Sequence, residues 1–386
     1  MSIKIKNKLN SFFQNSDALF VLIILIIIIA LFFTPTGFEK QYPNSIRVEA
    51  EIVEVNNENL LQFGIVKTGE QKLDVLVKKG KYKGKTFKAT NHLIGKMEFD
   101  KIFQKGDNAL VNIDLNKENT KVIDVNAIDH YRINIELFLL ILFVIFLVIF
   151  AGFTGAKAVL SFVFAGMMVL KVLFPLILKG YNPILLSLIT ISILTFVIIF
   201  LIAGFTKKGL VAFLGAITGV FVTCLLSVIF GKGFYINGAV QPFSETLLYS
   251  GFPHLDLTEI FLAGIFISSS GAVMDIAMDI SASQNEIMKK YPTLSQKEII
   301  KSGFAVGKAV VGTMTTTLLL AYSGGFTAML LVFLGQGTPT INVFNINYVA
   351  AEILHTLVGS FGLILVAPFT AIIGGLLYTK NKSVQN

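Results

Sequence analysis

After residue 133 the chain runs through seven apolar segments of membrane-spanning length, at about 134–151, 158–178, 184–204, 209–230, 258–281, 303–333 and 349–378. Hydrocarbon offers no partner for a backbone N–H or C=O, so such segments fold as helices packed on one another. An eighth apolar run, 19–33, stands near the start, behind Lys4, Lys6 and Lys8. That order is the order of a signal peptide, but no small-x-small cleavage site follows. Thr34-Pro35-Thr36-Gly37 reads as a helix stop, so residues 1–36 are read as a tail and an uncleaved anchor, with a cleaved signal as the alternative. The expected fold is a polytopic α-helical membrane protein of about eight helices. Only 15% of residues are charged, against about 25% in soluble domains.

Between the first two spans the pattern changes. From 37 to 133 charges of both signs interleave with period-two apolar stretches at 46–55, 73–77 and 110–115. Alternation bounded by Gly, Asn and Lys turns predicts a small all-β domain, OB-like or SH3-like, with residues 134–386 forming a seven-helix transmembrane domain. Lysines in short loops set orientation. Lys4, Lys6, Lys8, Lys157, Lys207, Lys208, Lys289, Lys290, Lys297, Lys301, Lys380 and Lys382 fall on one side, and only Lys179 and Lys232 on the other. The bias places both termini in the cytoplasm and the β domain outside.

The net charge of +8 is carried by lysine, since Arg47 and Arg132 are the only arginines. Lysines at span ends account for that charge through the bilayer, and no base-reading motif points to nucleic acid. In the β domain, Lys78, Lys79, Lys81, Lys83, Lys85 and Lys88 surround Gly80 and Gly84. This 78–88 hairpin reads as a solvated edge guarded by lysines, or as a contact for lipid headgroups or an anionic polymer. The single cysteine, Cys224, lies in an apolar run and reads as a small buried side chain.

The richest chemistry lies in 268–286. Asp275 and Asp279 are four apart and share a helix face, with Ser268, Ala272, Ser283 and Glu286 close to the same stripe. A charge within a membrane helix costs at least about 2.5–3.5 kcal/mol, so it calls for a partner, water or a proton. Such a face, with Ser270 beside it, suits a proton or cation relay; the alternative is a hydrated or salt-bridged pair at the interface. Lys308 enters from the same side on the next segment and reads as a counter-ion or as a static tie between helices. Gly303 and Gly307 form a small-xxx-small face for close helix approach, and Thr313, Thr315, Thr316 and Thr317 add hydroxyls deeper in.

Breaks are expected in three segments. The 303–333 run would be about 45 Å long against a core of about 30 Å, and holds Ser323-Gly324-Gly325. Ser268-Ser269-Ser270-Gly271 sits at the centre of 258–281, and Pro368 interrupts the last segment. Close helix approach or tilting are the alternatives to a break. His254, Asp256 and Glu259 gather at the entrance of 258–281, and Glu352 and His355 share a face of the last helix. These are suitable residue types for a metal, but their spacing matches no compact metal motif. Lys171 lies mid-span and must pair, snorkel or face a cavity.

Walker A, His-Glu-x-x-His, Gly-x-Ser-x-Gly and CxxC patterns are absent, so neither an enzyme nor a bound cofactor is expected. The run Ser270-Gly271-Ala272-Val273-Met274-Asp275-Ile276-Ala277-Met278-Asp279-Ile280-Ser281-Ala282-Ser283-Gln284-Asn285-Glu286-Ile287 resembles the signature of the YibE/F-like family of bacterial membrane proteins. So does Gly307-Lys308-Ala309-Val310-Val311-Gly312-Thr313-Met314-Thr315-Thr316-Thr317-Leu318-Leu319-Leu320-Ala321-Tyr322-Ser323-Gly324-Gly325. The resemblance implies a protein of the bacterial cytoplasmic membrane and names no substrate. From the residues, the expected function is a proton- or cation-coupled secondary transporter, alone or as a homo-oligomer or with a membrane partner. The alternative is a membrane scaffold or envelope-assembly factor whose β domain binds a partner or polymer.

Overall fold

A computed structural model describes residues 16–39, 42 and 44–379. Lys4, Lys6, Lys8, Lys380 and Lys382, which contribute to the orientation argument, lie outside the described residues. The chain divides into two compact units, one of Glu39–Phe146 and one of Met1–Phe38 with Leu147–Asn386.

The first unit is built on six strands: β1 (Ser45–Asn56), β2 (Leu60–Phe63), β3 (Val66–Val77), β4 (Thr86–Ile94), β5 (Asn108–Leu115) and β6 (Val122–His130). The sheet order is β1-β5-β6-β4-β3-β2, and β1 also pairs with β3. That extra pairing closes a five-strand ring, with β2 folded onto β3 outside it. β1 serves both neighbours by changing register between Ile52 and Glu54, where a bulge bends the strand. Every pairing is antiparallel except β4 with β6. This is the topology of an OB-like barrel, which settles the choice left open by periodicity.

Alternate residues fill the interior as the period-two pattern requires: Ala50 and Ile52, Leu73, Val75 and Val77, and Ala109, Val111, Ile113 and Leu115. A buried amide latches the loop that Phe103 carries over the core. Gln71 donates to the Phe103 carbonyl at 2.9 Å and accepts from the Phe103 N–H at 3.0 Å and from Asn91 at 3.1 Å. Gln71→Leu leaves those groups unpaired in the dark interior. We expect it to cost the barrel about 2–4 kcal/mol and to raise hydrogen exchange at the Phe103 amide.

The lysine-rich turn is partly claimed by the barrel itself. Lys78 pairs with Glu51 and Lys79 with the buried Glu49, each at 2.8 Å. Hydrogen bonding to Glu49 raises the Lys79 ammonium above the usual lysine range. Lys81 and Lys85 lie over the Tyr82 ring.

In the second unit, α1 is Ser16–Phe33, α2 Ile133–Met168 (its first part within the barrel's unit), α3 Pro183–Ala203, α4 Lys207–Gly233, α5 Leu257–Lys290, α6 Gln296–Gly325, α7 Thr327–Gly335 and α8 Asn347–Thr379. Among the described residues six stretches are long and apolar enough to cross a membrane, fewer than the eight expected. The difference has two sources. The apolar part of α1 is shorter, and helix runs on from Ile133 to Leu178 with only Gly152 leaving helical geometry, at φ 56° and ψ −130°. A positive φ of this kind suits glycine, which has no Cβ to clash.

α1 is packed into the bundle: its Ile24 is buried with Phe164 and Met168 of α2 and with Val197 and Leu201 of α3. Lys171, in a π-helical turn over Val169–Leu173, donates to the Thr34 carbonyl just past α1 at 3.1 Å. That bond answers the question its mid-span position raised. A lysine near a helix C-terminus satisfies free carbonyls.

The core of the bundle is α4, α5, α6 and α8. Gly303 and Gly307 of α6 meet Ala371 and Ala367 of α8, so the small-xxx-small face works as expected. Gln284 of α5 closes the crossing by donating to the Ile299 carbonyl at 3.0 Å and the Ala371 carbonyl at 2.9 Å.

Of the three expected breaks, one is present. α6 ends at Gly325 and α7 begins at Thr327, with Phe326 outside helical geometry between them. The serine cluster does not break α5, which is continuous from Leu257 to Lys290. Ser268 and Ser269 donate to the Ile265 carbonyl and Ser270 to that of Ile267, so their hydroxyls are satisfied within the helix. Nor does Pro368 end α8, which continues to Thr379. It removes one donor, but Ala367 and Ala371 on either side are held by the glycines of α6.

Candidate functional site

α5 presents two faces along its length. Phe266, Val273, Ile276, Ala277 and Ile280 are buried in the core, and Ile267, Met274 and Met278 pack beside them. The opposite side carries Ser268, Gly271, Asp275, Asp279 and Glu286, all exposed. Of the stripe read from the sequence, Ser268, Asp275, Asp279 and Glu286 share this side, whereas Ala272 and Ser283 are half-buried and Ala272 packs against the core; the helix is continuous throughout.

The two aspartates stand about 6 Å apart at Cβ, the separation of i and i+4 positions. Two charges at that distance repel by about 3 kcal/mol at an effective dielectric of 20. Neither makes an ion pair or hydrogen bond among the described residues, and Lys289 is taken by Glu286 at 2.8 Å. Lys308 is exposed on α6 and likewise forms no ion pair with either aspartate. The expected counter-ion is therefore near in sequence logic but not joined to them. Further along α6, Thr313 and Thr316 are exposed and Thr315 is half-buried. Thr313 donates to Val310 and Thr315 to Val311, which leaves their oxygen lone pairs facing outward as acceptors.

Ser268 belongs to two sites at once. Its Oγ lies 2.6 Å from His355 Nε2 on α8, and Tyr322 of α6 donates to it at 3.1 Å. The Tyr322 and His355 rings are stacked, with centroids 4.2 Å apart. On the next turn of α8, Glu352 Oε1 is 3.9 Å from His355 Nδ1. Three helices thus meet at one hydroxyl. Ser268 has a single proton, which goes either to the Ile265 carbonyl at 2.9 Å or to His355 Nε2. In the first arrangement His355 carries its proton on Nε2, and in the second on Nδ1, facing Glu352. Switching between them moves a proton across the imidazole without moving a helix.

The sequence does not reveal this cluster: its local patterns place Ser268 with the aspartates, and Glu352 and His355 among the metal candidates. Depth was the available signal. Ser268 is 11 residues into α5 and His355 is 8 into α8, and both helices start at the same end of the bundle, so the two stand within about 5 Å in height.

The metal candidates do not converge. Asp256 caps α5 by accepting from the Thr258 and Glu259 N–H groups, and Glu259 accepts from Asn182 at 2.6 Å. His254 lies 3.2 Å from the Leu178 carbonyl. No group of three His, Cys, Asp or Glu fit to hold a metal occurs among the described residues.

Comparison with known proteins adds the family. No curated protein and no solved structure matches this chain. Residues 47–131, which span most of the barrel, match the YibE/F family N-terminal domain. Residues 139–380 match the YibE/F-like protein family, and with well over half of the chain inside that match, the protein belongs to the YibE/F-like family.

Proposed function

We propose that this protein is a proton- or cation-coupled secondary transporter of the bacterial cytoplasmic membrane. In this reading the chain crosses the bilayer eight times, with both termini inside and the barrel outside. Asp279 and Asp275 form the inner part of a relay, with Lys308 of the next helix as the residue that balances their charge. Ser268, His355 and Glu352 form the outer part.

One observation carries the reading: a single unpacked side of α5 leads from Asp279 through Asp275 and Gly271 to Ser268, whose hydroxyl meets His355. Asp275 and Ser268 are about 10 Å apart along the axis, a gap that a chain of about three waters spans at about 2.8 Å per hydrogen bond. Hydroxyl, imidazole and carboxylate are the groups that pass protons in membrane pumps. Ser, His and Glu in sequence also invite a hydrolase reading, but the geometry opposes it. Ser268 lies in mid-helix, where the neighbouring N–H groups are spent on helical bonds and none is free to stabilise an oxyanion.

The test is proton flux in liposomes with an entrapped pH dye and an imposed potential. A second reading, a membrane scaffold or assembly factor, draws on the exposed lysines of the barrel, Lys83 and Lys88, as a contact for lipid headgroups or an anionic polymer. Deleting residues 40–130 separates the two. Proton flux is expected to persist at roughly half or more of the full-length rate if the helices do the work. A scaffold loses its function entirely with the barrel.

A further inference from the structure

The turn between β3 and β4 carries Lys78, Lys79, Lys81, Lys83 and Lys85, and it is tied to the start of α2 within the barrel's own unit. Buried Glu49 makes the tie. It accepts from Asn134, in the first turn of α2, at 3.2 Å and pairs with Lys79 at 2.8 Å. The Lys79 ammonium also lies 5.4 Å from the centroid of the Tyr131 ring. Just beyond Asn134 the surface of α2 becomes apolar, with Ile135, Leu137, Phe138 and Leu139 all more than half exposed. None of the apolar window of this span is buried within the chain. A helix with such a surface needs hydrocarbon around it, so the bilayer surface lies close to Asn134 and to the turn bound to it.

Lys78 and Lys79 are balanced by Glu51 and Glu49. Lys81, Lys83 and Lys85 are exposed and form no ion pair among the described residues. The ammoniums of Lys81 and Lys85 gather on one ring, 5.7 and 5.6 Å from the centroid of Tyr82, where they repel each other unless an anion joins them. Lys81 also donates to the Asn119 carbonyl at 3.5 Å, which brings in the β5–β6 turn with exposed Lys117 and Lys121. The exposed acids of that turn and the strand after it are Glu118 and Asp124, so cations outnumber carboxylates here. Lys88 stands across the strand pair from Asp74 and adds less.

We propose that these two turns bind the headgroups of anionic phospholipids where α2 enters the bilayer. Lysine suits that contact, since its stem lies along the interface while the ammonium meets a phosphate. Tyr82 and Tyr131 set amphipathic rings under the ammoniums, the ring type found at headgroup level. A soluble polyanion needs the same charges, but it does not need them fastened to the first turn of a membrane helix. The fastening through Glu49 favours lipid. The proposal chooses between the two contacts named for the scaffold reading, and it does not depend on proton transport.

Fluorescence of the full-length protein in nanodiscs tests it. Thr86→Cys places a dye on the exposed start of β4, and Cys224 is buried, so the label goes to the turn. Phosphatidylcholine spin-labelled at its headgroup quenches the dye when the turn reaches the surface. Quenching is expected to be at least ~2-fold greater with about 30% phosphatidylglycerol than in phosphatidylcholine alone. About 1 M NaCl should abolish the excess. Changing Lys81, Lys83, Lys85, Lys117 and Lys121 together to Gln should remove the excess while thermal unfolding stays close to wild type. The same five changed to Arg should keep it. Equal quenching in both lipid mixtures overturns the proposal, as does an excess that survives the glutamines. Loss of the excess to inorganic phosphate, beyond the effect of NaCl at equal ionic strength, overturns it in favour of a small-anion site. Loss to soluble poly(glycerol phosphate) at a phosphate concentration equal to that of the lipid overturns it in favour of a polymer. Proton flux by the glutamine variant is expected to equal that of wild type, so the relay and the lipid contact fail separately.

Discussion

Protein carrying both Asp275→Asn and Asp279→Asn is expected to fold normally and to lose proton-driven flux, by at least ~100-fold if the pair carries every proton. The two halves of that expectation rest on the same geometry. Both carboxylates lie on the unpacked side of α5 and hold no ion pair or hydrogen bond among the described residues. Asparagine has nearly the same shape, so no packing is lost, and about 3 kcal/mol of mutual repulsion disappears whenever both would be charged. Thermal unfolding in detergent should therefore stay level or rise slightly. A static role predicts the opposite: had either aspartate tied α5 to Lys308, neutralising it would loosen the crossing and lower stability by about 1 kcal/mol or more. Asp275→Glu keeps an ionisable group and shifts it by about one bond, so partial flux is expected. Full flux in the double asparagine variant removes the aspartates from the mechanism. Flux lost together with a collapse in stability assigns them a structural role instead.

Much of this protein was legible because two periods are hard to confuse. The barrel interior of Leu73, Val75 and Val77 is written as strict alternation, and the spans as runs too long for anything but membrane helices. The break between α6 and α7 falls where composition marks it, directly after Ser323-Gly324-Gly325; length alone does not force one, since α6 itself runs 30 residues unbroken and α5 runs 34. Other features depend on which helix lies beside which, and composition does not encode that. Ser268, Ser269 and Ser270 looked like a breaking point, yet each hydroxyl found a carbonyl of its own helix, so α5 runs straight through. His355 reads as a candidate metal ligand because Glu352, three residues before it, shares its helix face. Its actual partners, Ser268 and Tyr322, come from helices far away along the chain. The acidic stripe was legible because a helix face is a local property. The cluster at its Ser268 end was not, because adjacency of three helices is not local.

The same dependence on helix contacts gives the second large effect. Gly303→Leu is expected to leave no folded protein in detergent, a loss beyond about 4 kcal/mol. A Cβ at Gly303 would sit 2.4 Å from Gln284 Nε2 and 2.7 Å from Ala371 Cβ. α6 would have to move away from α8, and the movement would also pull Gln284 from the Ile299 and Ala371 carbonyls, leaving a buried amide unpaired. Membrane helices associate through close packing rather than through a hydrophobic drive, so separation at the crossing has little to replace it. The effect should be graded along α6. At Gly307 a Cβ would come 3.0 Å from Ala367 Cβ, so Gly307→Ala calls for a shift of a few tenths of an ångström and a cost of about 1–2 kcal/mol. At Gly312 a Cβ would meet nothing within 4 Å, so Gly312→Leu should be tolerated or gain slightly from helix propensity. Thermal unfolding of the three variants measures the order. Equal damage at Gly303 and Gly312 overturns the account, because the exposed side of α6, with Thr313 and Thr316, would then be a packed surface covered by another chain.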